Sequence, residues 1–339
     1  MLGRAACLAG APALAALGAS TRHAGAQTGA TPVASTTGGE LPSWTDGAVR
    51  RRIFDFVAAV TDEAGPDFVP PDQRIATFDL DGTLWVSHPI YVEVLFAYDR
   101  IRALAPEHPE WATQEPFATI LAGANPEYSP QAAAMLVAAA HAGFTVAEFE
   151  ATVAEWLATT RHPRFQRPYT ELVYQPMREV MDLMRRHGFA VYVVSGSGQE
   201  FIRAFAGPVL GVPPERVIGS ASQVTYEVRD GEPVLVMQPE MIFVDDHGGK
   251  PEGINLVVGR RPIAAFGNSD GDREMLEWTE DGPGARLMAL VHHDDAEREY
   301  AYGPDTTVGT FSDALMAEAA ARDWIVISME RDWTRIFAG

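Results

Sequence analysis

The segment Ile75-Ala76-Thr77-Phe78-Asp79-Leu80-Asp81-Gly82-Thr83-Leu84 constrains this chain more than any other, because an apolar run enters directly into two carboxylates, a glycine and a threonine. A short apolar run bounded by turn residues reads as a buried strand. Open α/β sheets leave a ligand crevice beyond the carboxyl ends of such strands. Side chains two apart share one side of an extended chain, so Asp79 and Asp81 are expected to face one polar pocket, with Gly82 supplying the sharp exit. Two close carboxylates repel unless a cation or a shared proton relieves them. A hard divalent ion such as Mg2+, which takes oxygen ligands and commonly accompanies phosphate, is the economical solution. Asp and Gly also dominate ordinary turns, so this segment alone does not separate a site from a turn.

Three later segments extend the pattern. Val191-Tyr192-Val193-Val194-Ser195-Gly196-Ser197-Gly198 is an apolar strand delivering hydroxyls and small residues to a helix start. There the Ser195 hydroxyl and the Gly196 amide form a natural phosphate cradle. Lys250, in Gly248-Gly249-Lys250-Pro251, stands at the opening of a helix. A cation there opposes the helix dipole, which favours a role in offsetting charge on Asp79 and on phosphoryl oxygens. Ala264-Ala265-Phe266-Gly267-Asn268-Ser269-Asp270-Gly271-Asp272 is again a strand ending in acids.

In this order the four segments resemble the signature of the haloacid dehalogenase superfamily, and they are spread over most of residues 74–275. The arrangement is most similar to the phosphoserine-phosphatase-like branch. That resemblance implies an α/β fold, a Rossmann-like parallel sheet core with an inserted α-helical cap. The core would comprise residues 46–84 and 169–339, and the cap residues 85–168. It also implies Mg2+ held by Asp79, Asp81, Asn268 and Asp272. The family pattern usually has aspartate where this chain has Asn268, which can offer an oxygen but no charge; Asp270 or Asp272 is then the candidate to take over. A β excursion before the lysine is a further similarity.

The rest of the sequence fits such an enzyme. An excess of 46 acidic over 26 basic residues argues against a nucleic-acid partner, which needs a basic footprint. Residues 1–26 read as a secretory signal: Arg4, then an apolar run Ala5 to Leu17, then Ala24-Gly25-Ala26 as a cleavage pattern. The run is too short for a permanent membrane span. The expected location is therefore exported, periplasmic or secreted, with no membrane span in the mature chain. Cys7, the sole cysteine, lies inside that run, so no disulfide is expected. Residues 27–45, rich in Thr, Gly, Ala and Ser, read as a flexible lead-in.

Helical spacing of Ile53, Phe56, Val57 and Val60 predicts a helix over about 46–63. From Trp85 to about Pro168 the pattern is helical. Ser129-Pro130 opens one helix and Thr145-Val146-Ala147-Glu148 is a capping box opening the next. Arg161, Arg164 and Arg167 form a basic cluster, read as a solvated hinge ahead of an anion site. Pro176 starts a helix with a buried stripe of Met177, Val180, Met181 and Met184. Asp230-Gly231 marks a hairpin within Val217 to Met237, and strands are expected at Arg286 to Val291 and Trp324 to Ser328. His292 and His293 invite a metal reading, but neighbours on an extended chain point opposite ways, which favours structural roles.

The expected chemistry is phosphomonoester hydrolysis on a small phosphorylated substrate. Asp79 attacks phosphorus and forms an aspartyl-phosphate, and Asp81 protonates the leaving alcohol and then activates water. Mg2+, Lys250, Ser195 and Gly196 offset the phosphoryl charge. Dehalogenating members of the superfamily lack the second aspartate, so the resemblance implies a phosphatase here. Phosphoserine phosphatases typically carry a cap glutamate nine residues after the nucleophile; that offset falls on His88, and Glu93 is out of register. O-phosphoserine, phosphocholine and sugar phosphates all remain candidate substrates. A non-catalytic phosphate- or metal-binding protein is the alternative of a different class.

Overall fold

The computed structural model describes residues 40–124, 126 and 129–339. The expected signal over residues 1–26 lies outside them. Among the described residues no helix is long and apolar enough to cross a membrane.

Helix α1 (Ala48–Thr61) precedes strand β1 (Ile75–Phe78). Four helices come next: α2 (Val92–Leu104), α3 (Phe117–Leu121), α4 (Pro130–His141) and α5 (Val146–Thr159). The chain then alternates through α6 (Gln175–Arg186), β2 (Ala190–Gly198), α7 (Gln199–Phe205), the hairpin β3 (Val217–Arg229) and β4 (Glu232–Phe243), α8 (Gly249–Val258), β5 (Ala264–Gly267), α9 (Arg273–Glu280) and β6 (Leu287–His292). It ends with α10 (Asp313–Ala321), β7 (Ile325–Ser328) and α11 (Met329–Asp332). The strands form one sheet in the order β4-β3-β2-β1-β5-β6-β7, antiparallel only in the β3–β4 pair.

Every residue of β1 and of β5 is buried. Strands covered on both faces read as continuous apolar runs instead of alternating ones, which is why Ile75 to Phe78 and Ala264 to Gly267 stand out in the sequence. β1 pairs with β2 on one side and β5 on the other. The chain therefore leaves β1 in one direction and returns on the other flank, and the crevice at such a reversal is where α/β sheets bind ligands.

The helical segment between β1 and β2 matches its sequence signals closely. Ser129 caps α4 by accepting from the Ala132 amide, and Thr145 and Glu148 complete a reciprocal capping box at α5. The link between these two helices joins the hairpin: Gly143 donates to the Met237 carbonyl and Met237 to that of Phe144. The hairpin itself continues to Phe243, beyond the expected end at Met237.

One boundary differs from the sequence reading. The last residues of the expected lead-in over 27–45 are packed on the core. Leu41 and Trp44 are buried, the Ser43 amide and hydroxyl both donate to Glu179, and the Trp44 indole donates to the Pro176 carbonyl. Two apolar side chains and a hydroxyl matched to a buried carboxylate outweigh the polar small-residue composition that precedes them.

At the centre of the sheet Phe78 and Phe266 stack with ring centroids 4.4 Å apart and planes 3° from parallel. Both are fully buried, and each lies at the end of a strand that leads into an acidic segment. Truncating Phe266 to alanine should cost about 3–5 kcal/mol by loss of transfer energy and a cavity left behind, read as a lowered midpoint of urea unfolding.

Candidate active site

Beyond the carboxyl ends of β1 and β2 the chain encloses a cavity of about 240 Å3, lined among others by Asp79, Asp81, Ser195, Lys250, Glu93 and His141. Asp79 and Asp81 face it together, as their spacing predicts. Their surroundings differ sharply, however.

Asp79 is tied to a cation and a hydroxyl. Its Oδ1 accepts from Lys250 Nζ at 2.6 Å and its Oδ2 from the Thr83 hydroxyl at 3.1 Å. Burial raises its pKa, with Asp272 and Asp81 adding to the effect and Lys250 opposing it. Asp81 has no cation within hydrogen-bond reach; its Oδ1 accepts from the Trp85 indole at 2.8 Å and its Oδ2 from the Ser197 hydroxyl at 2.7 Å. Burial pushes its pKa up as well, against those hydrogen bonds. A carboxyl held up in this way is suited to carry a proton.

Lys250 extends from the first turn of α8 and is 2% exposed. It donates to Asp79, to Asp272 Oδ1 at 2.5 Å and to the Val194 carbonyl at 3.3 Å. Burial lowers its pKa, but the two carboxylates outweigh that and hold it above its ordinary value. Lys250 thus joins the ends of β1, β2 and β5 through one ammonium group.

Asp272, expected as a metal ligand, has hydrogen-bond partners on both carboxylate oxygens. Its Oδ1 is engaged by Lys250, and its Oδ2 accepts from the amides of Asn268 and Ser269 at 2.9 and 3.0 Å. Oδ2 folds the loop after β5, because a carboxylate four residues on can reach back to the freed amides at the strand end. Asp270 also turns away, accepting from the Ser312 amide and hydroxyl ahead of α10.

Asn268 is the residue of this loop whose side chain reaches Asp79. Its side-chain amide lies 3.1 Å from Asp79 Oδ2, 3.1 Å from the Asp81 carbonyl oxygen and 3.2 Å from Thr83 Oγ1. With nitrogen facing these atoms it donates to them. With oxygen facing them, a carboxylate, a carbonyl and an amide oxygen converge, an arrangement that a cation relieves. Adjacent ligands around an octahedral Mg2+ lie about 3.0 Å apart, so the set fits that ion through Asp79 Oδ2, the backbone of Asp81 and Asn268 Oδ1. Among the described residues no group of three or more His, Cys, Asp or Glu side chains could hold a metal; this set contains a single carboxylate. Gly82, at φ +90°, brings the Asp81 carbonyl into place, and a Cβ there would collide with Asn268.

Ser195 is buried and accepts from the Ser197 amide at 3.2 Å. The pairing of β2 with β3 shifts register between Ser195 and Gly198, a bulge of the kind that re-aims backbone at functional sites. It leaves Gly196 exposed at the cavity, with its carbonyl accepting from Ser220. Ser197, Thr83 and Trp85 join the site without being predicted from sequence. The last two stand four residues after Asp79 and Asp81 respectively, a spacing that could have flagged them.

The remaining candidates are structural. Arg164 donates to the carbonyls of Glu299, Ala296 and Glu297, and Arg167 pairs with Glu171, so both are engaged within the chain. His293 is buried and its Nε2 donates to the Gly82 carbonyl at 2.7 Å, so it braces the loop after Asp81, while His292 lies 3.6 Å from Asp294. The two histidines serve different contacts, as alternation requires. His88 stacks on Tyr302, 3.7 Å between centroids, and is not among the cavity-lining residues; Glu93 is.

Removing the ammonium at the centre should be costly. Lys250→Ala leaves two buried carboxylates unpaired and should lose about 3–5 kcal/mol of stability. Lys250→Met combined with Asp272→Asn should recover part of that loss, both read by chemical denaturation.

No curated protein matches the chain. Among solved structures it is similar to a conserved protein of unknown function from Anaerococcus prevotii DSM 20548, at 16% identity and TM-score 0.51, covering 73% of this chain and 86% of that one. A protein of unknown function from Bordetella pertussis Tohama I matches at 19% identity and TM-score 0.49, covering 75% and 98%. A phosphoserine phosphohydrolase-like protein from Francisella tularensis subsp. tularensis SCHU S4 matches at 18% identity and TM-score 0.38, covering 73% and 98%. The likeness to the Anaerococcus prevotii protein is one of fold. The family model of haloacid dehalogenase-like hydrolases matches residues 76–277, a span that holds the carboxylates of β1, the bulge of β2, Lys250 and Asp272 and more than half of the chain, and the chain belongs to that family.

Proposed function

We propose that this chain is a Mg2+-dependent phosphomonoester hydrolase of the phosphoserine-phosphatase-like branch, exported from the cytoplasm, with Asp79 as nucleophile. The observation that carries the reading is the unequal pair of carboxylates in one cavity: Asp79 bound to Lys250, and Asp81 bound only to neutral donors.

Asp79 borders the cavity, and a carboxylate oxygen of it attacks phosphorus in line, forming an aspartyl-phosphate and expelling the alcohol. Asp81, whose pKa burial raises, delivers a proton to the leaving oxygen; as a carboxylate it then takes a proton from the water that opens the intermediate. Ser197 and Trp85 fix the orientation of Asp81 through both steps. Lys250 holds Asp79 in one rotamer and meets phosphoryl charge, and Ser195 with the Gly196 backbone borders the same oxygens. Mg2+ held by Asp79, the Asp81 carbonyl and Asn268 would supply the rest of the charge neutralisation. The substrate is a small phosphate ester, O-phosphoserine or a relative such as phosphocholine or a sugar phosphate.

The purified chain should release phosphate from a chromogenic aryl phosphate with Mg2+ and stop with EDTA. Asp79→Asn should lower kcat by about 10^3-fold or more, as loss of a nucleophile that acts with its partners does; release that survives in this variant overturns the reading. Restoring the usual charge with Asn268→Asp should tighten Mg2+ binding by roughly tenfold, since affinity depends on ligand charge, read by isothermal calorimetry.

A further inference from the structure

A second cavity, of about 380 Å3, lies at the opposite end of the sheet, where β1, β5 and β6 begin. Three of the seven residues lining it are arginines, Arg260, Arg261 and Arg286, with the Gln73 side chain beside them and no carboxylate among the described lining residues. Two of the arginines are engaged. Arg260 donates to the Asp72 carbonyl at 2.9 Å, and Arg261 donates to that of Trp278 and lies over its ring. The carboxylates of Asp72 and Asp281 stand 3.8 and 3.4 Å from them on side chains 74% and 85% exposed, where water screens most of the attraction. Arg286 differs. Its Nε is buried without a hydrogen-bond partner, and among the described residues no ion pair engages its guanidinium. Gly282 gives it room against the backbone, since a Cβ there would stand 2.5 Å from Nη2. Burial, and after it Arg261, lowers the Arg286 pKa, so this cation is partly withdrawn from water beside a charge of its own sign. An arginine keeps all its hydrogens, so no change of tautomer relieves the buried donor. Buried polar groups are nearly always satisfied, and a chain with 46 acidic and 26 basic residues does not lack carboxylates to pair with it.

We propose that this cavity binds a phosphate-type oxyanion, with Arg286 and Arg261 as its main donors. The site is separate from the catalytic cavity and does not rest on the phosphatase reading.

The chemistry narrows the choice. A guanidinium presents N–H donors in a planar fork that meets two oxygens of a phosphate or a carboxylate at once. Three such groups bring more charge than one carboxylate answers, whereas a phosphate dianion offers both the second charge and the further oxygens. The Gln73 amide can add a neutral donor. A long polyanion is opposed by the net charge of −20, since nucleic-acid binding needs a broad basic footprint. Val69 and Ile263 give the cavity an apolar part, and its volume exceeds that of a single phosphate. Free phosphate and the phosphoryl group of a small organic phosphate therefore both satisfy the donors, and they differ in whether the apolar part is used.

The test is calorimetric titration of inorganic phosphate into the chain in EDTA, at an ionic strength fixed with chloride, for wild type and for Asp79→Asn. Both should bind phosphate alike, because Asp79 stands at the other end of the sheet. Arg286→Met, with folding checked by circular dichroism, should weaken binding by about 10–100-fold, the worth of hydrogen bonds to a charged group. Arg286→Lys keeps the charge without the fork and should fall between the two. Phosphate should also raise the urea midpoint of wild type by mass action, and leave that of Arg286→Met unmoved. Phenylphosphonate, which carries an apolar group and has no ester to hydrolyse, separates the two sources. Binding about tenfold tighter than phosphate supports the site as one for an organic phosphate, and equal or weaker binding supports it as one for the free anion. No binding of either anion, or equal binding by wild type and Arg286→Met, overturns the site. Binding lost in Asp79→Asn but kept in Arg286→Met overturns it too, by moving the anion to the catalytic cavity.

Discussion

One ammonium group holds the centre of this molecule together. Lys250 Nζ, almost completely buried, is shared by Asp79 from β1 and Asp272 from the loop after β5, with the Val194 carbonyl of β2 beside it. Three strands that are adjacent in the sheet but far apart in sequence thereby end at a common point. Two carboxylates and one lysine leave a net negative charge in a region from which water is largely excluded, and such a group persists only where the remaining lone pairs are used. Asp272 Oδ2 is satisfied by backbone amides, and Asp79 Oδ2 by Thr83 and the amide of Asn268. Such a surplus of negative charge suits a cation, the part given to Mg2+ in the proposed function.

Around this centre the protein separates two carboxyl groups by environment alone. Asp79 and Asp81 lie two residues apart on one segment, yet one is paired with a cation and the other with a serine and an indole. In the proposed mechanism a nucleophile must be ionised and an acid must hold a proton, and the donors that the surrounding elements supply would distinguish the two roles. Ser197 owes its place to the bulge in β2, and Trp85 to the turn after Gly82. That turn is itself braced by His293, whose other nitrogen lies 3.2 Å from Glu299.

Much of this is legible in the sequence. Strands buried on both faces leave continuous apolar runs, so β1, β2 and β5 stand out, and the acids and small residues at their ends mark the site. Capping chemistry is local, which is why Ser129, Thr145 and Glu148 identify their helices. Spacing gives the proximity of Asp272 to the site but not the direction of its oxygens, which depends on the loop's own hydrogen bonds and on Lys250. Asn268, the weaker candidate for its lack of charge, is the one that reaches Asp79. Glu93 and His141 are out of reach for another reason, since 48 positions separate them in the sequence and no local pattern links a residue of α2 to one at the end of α4. The packing of Leu41 to Trp44 is hidden by the composition of the stretch before it.

The proposed chemistry turns on Asp79 forming a covalent bond to phosphorus. The most direct measurement is rapid acid quenching of the enzyme during turnover of a 32P-labelled ester with Mg2+, with proteolysis and mass mapping of the labelled peptide. An acyl-phosphate labile to hydroxylamine is expected on the peptide that contains Asp79, formed before free phosphate is released and absent in Asp79→Asn. Steady turnover with no label on that peptide at any quench time, or label on a different residue, would contradict a covalent role for Asp79.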